Sequence, residues 1–216
     1  MTAAPAAAPT TAHGHGHGHG HGHSHAPHAP ADVLAYLNGT PIPRHLLDTR
    51  LAALRAGDAA CVLPREGTRE ARQMARWVAQ IIITEHLCQD ELTRQHQPTP
   101  STATAAPLDV STAIAVGSIT AAALAGSEVV RRVAELVSRE VRIPAEQLAY
   151  AADVLGVDPP ADPAVPAERW HAELLDSARL EAFARWLNAA QHERVQLVHG
   201  LEHPGDSNQP DNLHRH

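Results

Sequence analysis

Between His13 and His28 the chain reads HGHGHGHGHGHSHAPH, placing His13, His15, His17, His19, His21, His23, His25 and His28 in sixteen residues. Neutral imidazole nitrogen is a good ligand for nickel, zinc and copper. The intervening glycines leave the backbone free to fold two to four rings around one ion. Such a run holds divalent transition metal adaptably, with little geometric selectivity. A solubilising tail, or an accident of repeat expansion, would have the same composition. A cloning tag is usually an unbroken run of histidine, whereas this one is interrupted and set in Ala/Pro-rich sequence.

A second group of ligand types closes the chain: Glu202, His203, Asp206, Asp211, His214 and His216. Turns at Pro204-Gly205 and Pro210 can fold this segment back on itself. His203, His214 and His216 with the Asp206 carboxylate would form a zinc or iron(II) set. The alternative is a polar tail that happens to contain histidine. His86 and Asp90 stand four residues apart, which is more often a helix-surface pair than a site. Cys61 and Cys88 have no CxxC spacing and no evident base beside them, so neither is expected to act as a nucleophile. P-loop, GxGxxG, GxSxG and HExxH motifs are absent.

The elements that must carry these residues follow from pattern. The 216 residues suffice for one domain with tails. Apolar content is 44% but aromatic content is 3%, so the core must be built of Ala, Val, Leu and Ile, which favours closely packed helices. Residues 1–31 are Ala/Pro/Thr and then His/Gly, too poor in apolar periodicity to offset chain entropy, and are expected to be disordered. An ordered unit is expected over 32–200 and a polar His/Asp tail over 201–216. In the ordered unit, VLAYLNGTPIP predicts a short hairpin turning at Asn38-Gly39. Pro43 suits the first turn of a helix with Leu46, Leu47, Leu51 and Leu54 on its apolar side, stopped by Gly57. A second helix is expected from an N-cap at Thr68 to Arg94. Two Ala-rich segments, about 109–125 and 127–140, follow a linker-like QPTPSTATAAP. Pro144 opens a helix ended by Gly156. The longest helix is expected from about Pro166 to Ala190, and ERVQLVHG as a terminal strand. The fold class is therefore mainly α, with a short N-terminal hairpin and a C-terminal strand. Trp77 and Trp170, on the apolar stripes, are expected to be largely buried.

The formal net charge of −7, with histidine neutral, gives no general argument for nucleic-acid binding. Protonating about half of the 17 histidines would cancel it, so net charge depends on pH and metal. No stretch has the roughly 18 uncharged apolar residues of a membrane span. The N-terminus lacks the basic and apolar regions of a signal peptide. The expected location is the cytoplasm.

VLAYLNGTPIPRHLLDTRLAAL resembles the start of the SurA/PrsA-type peptidyl-prolyl isomerase chaperones. The likeness lies in strand Val33–Leu37, the Asn38-Gly39 turn, the return through Ile42, and a helix with Asp48 near its start. IPAEQLAYAADVLGV is similar to the family helix that returns to the N-terminal domain before the parvulin insertion. The resemblance implies a helical peptide-binding domain acting on unfolded or client polypeptide. It does not extend to isomerase activity. A parvulin domain needs about a hundred residues and several strands, and the chain after Gly156 has neither. The reading reached is a non-catalytic, chaperone-like binding domain with a His-rich metal-binding tail. Two other readings stay open. One is a nickel or zinc metallochaperone or storage protein using the C-terminal cluster. The other is a metal-dependent enzyme using that cluster with an open coordination position.

Overall fold

The computed structural model describes residues 32–96, 117–162, 166 and 168–205. Strand β1 (Val33–Leu37) turns into β2 (Thr40–Pro43). Asn38 and Gly39 have φ of 50° and 78°, the two positive values that a type I′ hairpin turn requires. Leu37 pairs with Thr40, Tyr36 with Pro41 and Ala35 with Ile42, with a register shift between Val33 and Ala35. Pro43 ends β2 instead of opening a helix. It pairs with Val33 on an edge strand, where a missing N–H costs little, and the Arg44 N–H then donates to the Asp32 carbonyl at 2.7 Å.

Helix α1 (His45–Ala56) buries only Leu47 completely; Leu46 and Leu51 are half-buried and Leu54 is exposed. A short 3₁₀ helix (Asp58–Val62) leads to α2 (Arg69–Arg94). The Thr68 hydroxyl accepts from the Ala71 N–H at 3.2 Å, the N-cap expected from the sequence. Helix α2 is the axis of the fold, packing against β1, α1 and three later helices. These are α3 (Ser118–Gly126), α4 (Glu128–Ser138) and α6 (Arg169–Arg194). Between α4 and α6 lies α5 (Ala145–Leu155), ended by Gly156 at φ 67°. Helix α6 passes directly into β3 (Val195–Leu197). That strand pairs antiparallel with β1, so the sheet order is β2-β1-β3.

Three apolar clusters hold the elements together. The first joins the hairpin, α1 and α2 to Val198 and Leu201, so packing continues to Leu201. The second gathers Leu87, Cys88 and Leu92 of α2 with Leu124, Val130, Val133, Phe183 and Leu187. Ala121 and Ala123 of α3 are also buried. Small side chains let this helix approach α2 closely, as an aromatic-poor core needs. The third cluster is small: Ile143, Leu148 and Leu175, with Trp170 and Leu174 at its edge. Trp77 and Trp170 are only half-buried, each covering the rim of a cluster. Phe183 is the one fully buried aromatic side chain among the described residues.

Candidate functional site

The residues singled out for metal binding fall largely outside the described residues. This holds for His13, His15, His17, His19, His21, His23, His25 and His28, and for Asp206, Asp211, His214 and His216. Of the second group only Glu202 and His203 are placed. His203 is exposed, and its Nδ1 accepts from the Gly205 N–H at 3.1 Å. Both Glu202 oxygens accept from the Gly200 N–H at 2.9 Å, and one meets His199 Nδ1 at 3.0 Å. Burial acts to raise the Glu202 carboxyl, but these hydrogen bonds and the His199 charge outweigh it and hold the group below the ordinary carboxylate range. Glu202 is thus committed to its own turn. Among the described residues no three His, Cys, Asp or Glu side chains converge to hold a metal.

The weaker sequence candidates have structural roles. Asp90 accepts from Asn38 Nδ2 at 3.0 Å and lies 3.8 Å from Arg194, which ties the hairpin turn to α2. His86 is half-buried, and burial lowers its pKa despite the Glu85 charge. Cys88 is fully buried, and burial, with Glu91 and Glu85 nearby, pushes its thiol up to about 12. It is a core side chain. Cys61 is exposed on the 3₁₀ helix.

A family of unknown function (DUF7158) matches residues 33–70. No curated protein and no solved structure matches the chain. The matched stretch contains the hairpin, α1 and the start of α2.

The feature that sequence reasoning passed over is the outer face of α5. Leu148 and Ala152 point inward and are 1% exposed, which is the stripe the helix needs for packing. A second apolar row has no cover among the described residues: Tyr150 is 72% exposed, Val154 66%, Leu155 55% and Val157 40%. With Leu174 of α6, Tyr150, Val154 and Leu155 bound an open cavity of about 650 Å³, which Glu146 and Gln147 also line. Among the described residues the other large exposed apolar side chains, Leu54, Val62 and Leu197, stand on separate elements. The signal was present in AEQLAYAADVLGV, which is apolar on two sides of a helix flanked by proline and glycine. A helix apolar on two sides needs two partners, and the fold supplies one.

Among the described residues no helix is long and apolar enough to cross a membrane.

Proposed function

We propose that the chain is a non-catalytic polypeptide-binding domain of the chaperone type. In this reading the outer face of α5 takes apolar segments of unfolded client polypeptide, and the His-rich run binds nickel or zinc. The observation that carries the reading is the row Tyr150, Val154 and Leu155, exposed on a single helix, with Val157 just beyond its end. Contiguous exposed apolar surface bounded by polar residues is a mark of interaction sites. An apolar groove beside a helix is a known way to hold a polypeptide segment. The likeness of residues 33–54 and of the α5 segment to the peptide-binding part of SurA/PrsA-type chaperones supports the same reading.

The test is suppression of aggregation of a chemically denatured client enzyme by the full chain in EDTA, against a variant with Tyr150, Val154 and Leu155 changed to Ser. These side chains are exposed, so the variant keeps its fold. The expected result is protection by the native chain and its loss in the variant. No protection by the native chain, or equal protection by both, would overturn the reading.

The metal component has its own measurement. Zinc or nickel is titrated calorimetrically into the full chain, into a form beginning at Asp32, and into that form with His203, His214 and His216 changed to Ala. The His/Gly run is expected to contribute several weak sites, because its alternating histidines offer many near-equivalent ligand sets, and these disappear with residues 1–31. One tighter site surviving until the triple change would favour the metallochaperone reading. No binding by the form beginning at Asp32 would leave the His13–His28 run as the metal feature. Affinity should fall steeply as pH drops through about 6.5, where imidazole protonates.

A further inference from the structure

A second concavity lies on the other side of α6 from Leu174, between α3, α4, the α4–α5 connection and α6. It consists of two cavities that meet at Arg139 and Arg179. The larger, about 630 Å³, has an apolar wall of Leu124, Ala134 and Leu180. The smaller, about 190 Å³, is bounded by Arg139, Arg142, Arg179 and His171. Four arginines, with Arg131 the fourth, therefore stand around the pair, against two carboxylates, Glu135 and Asp176. Outside the lining, Glu128 and Glu140 pair with Arg131 and Arg139.

The partners of these groups differ. Arg131 is committed to Glu128 at 2.8 Å and to the Leu124 carbonyl at 2.7 Å. Arg142 Nη1 donates to the carbonyls of Arg139 and Val141. Arg139 reaches only its neighbour Glu140, with Nε at 3.3 Å, and its side chain is 67% exposed. Arg179 Nη1 lies a loose 3.9 Å from Asp176, and its Nε is buried with no acceptor. His171 is 1% exposed in the wall of the smaller cavity, and its Nδ1 also has no hydrogen-bond partner. Burying a polar group without a partner is unfavourable. Arg139 and Arg179, each with a loose or exposed ion pair and both at the shared wall of the two cavities, are the complement of a bound oxyanion.

We propose that this cleft binds a small amphiphilic oxyanion, its carboxylate or phosphate head between Arg139 and Arg179 and its apolar body along Leu124, Ala134 and Leu180. The head takes up guanidinium donors of Arg139 and Arg179. The body has room for a chain of several carbons. This proposal is independent of client binding at α5.

The experiment titrates octanoate, octyl phosphate, octanol and octylammonium into the full chain in EDTA, by calorimetry and by ¹H–¹⁵N NMR of amide and arginine side-chain signals. Binding by octanoate or octyl phosphate at least about tenfold tighter than by octanol, with the largest shifts at Arg139, Arg179 and His171, is expected; the tighter of the two identifies the head group. Arg139→Gln changes an exposed side chain and should weaken that binding about tenfold without altering the circular dichroism. Arg179→Gln should do the same. Octanol or octylammonium binding as tightly as the anions, no anion binding up to about 10 mM, or an unchanged affinity in Arg139→Gln would overturn the proposal.

Discussion

Glu91 shows how single side chains hold this fold in place. It sits on α2, almost fully buried, and accepts from Arg194 at the end of α6 and from Gln95 Nε2 at 2.6 Å. Burial acts to raise its carboxyl. The hydrogen bonds from Arg194 and Gln95 and the charges of Arg194 and Arg94 outweigh that and keep it below the ordinary range. A depressed carboxylate pKa contributes stability that is complete above the unfolded value, about 4.3, and is lost as pH falls through the folded value. Glu91→Gln should therefore cost about 3 kcal/mol at pH 7, since it leaves Arg194 without its closest counter-charge. The difference from the native chain should shrink as pH falls below about 4.3. Urea unfolding at pH 7, 5 and 3.5 measures this; a pH-independent difference would remove the ion pair as its cause.

At the scale of elements, α2 and α5 are opposites. Helix α2 has neighbours on most sides, and the run Ile81-Ile82-Ile83 has partners in both large clusters. Helix α5 is attached through buried Leu148 and Ala152, and Leu148 shares its small cluster with only two other buried residues, Ile143 and Leu175. Few buried contacts mean a low free energy of local opening. Amide hydrogen exchange should therefore be at least about tenfold faster in 148–155 than in 78–88 in the native chain. Binding of an apolar peptide should slow exchange in α5 while leaving α2 unchanged. Equal protection in the two helices would show that α5 opens only with the whole fold.

For the whole molecule, the C-terminal segment closes what the N-terminal hairpin begins. Strand β3 lies against β1, and the Asn38 N–H donates to the Arg194 carbonyl at 2.9 Å. Beyond it, Arg76 Nε donates to the Gly200 carbonyl at 3.1 Å and Gln80 Nε2 to the Leu201 carbonyl at 3.3 Å, from positions on α2 more than a hundred residues earlier. Leu201, 5% exposed, fills the first cluster beside these bonds. Leu201→Ala should lower stability by about 3 kcal/mol, a core-sized loss from a residue in a polar, turn-rich segment. Thermal or urea unfolding provides the check; a change under about 0.5 kcal/mol would mean that the C-terminal segment merely rests on the fold.

What the sequence determined by itself was local. Asn38-Gly39 specifies its turn because few other residue pairs tolerate two positive φ angles. Thr68 caps α2 because its hydroxyl reaches an N–H three residues on, and Gly156 ends α5 because it enters the left-handed region without strain. Helix periods and the terminal strand were legible for the same reason: each depends on residues a few positions apart. Tertiary structure decided which apolar rows find partners. Nothing within 145–157 says that Leu148 is covered and Tyr150 is not, because cover comes from Leu175, some 27 positions away in the chain. Pro43 could start a helix or finish a strand, and pairing with Val33 decided between them. Likewise, Arg139 and Arg179 belong to different elements with no motif between them. Only the packing of α4 and α6 brings them to one cleft, since the chemistry of a site depends on distances that the linear spacing of residues does not contain.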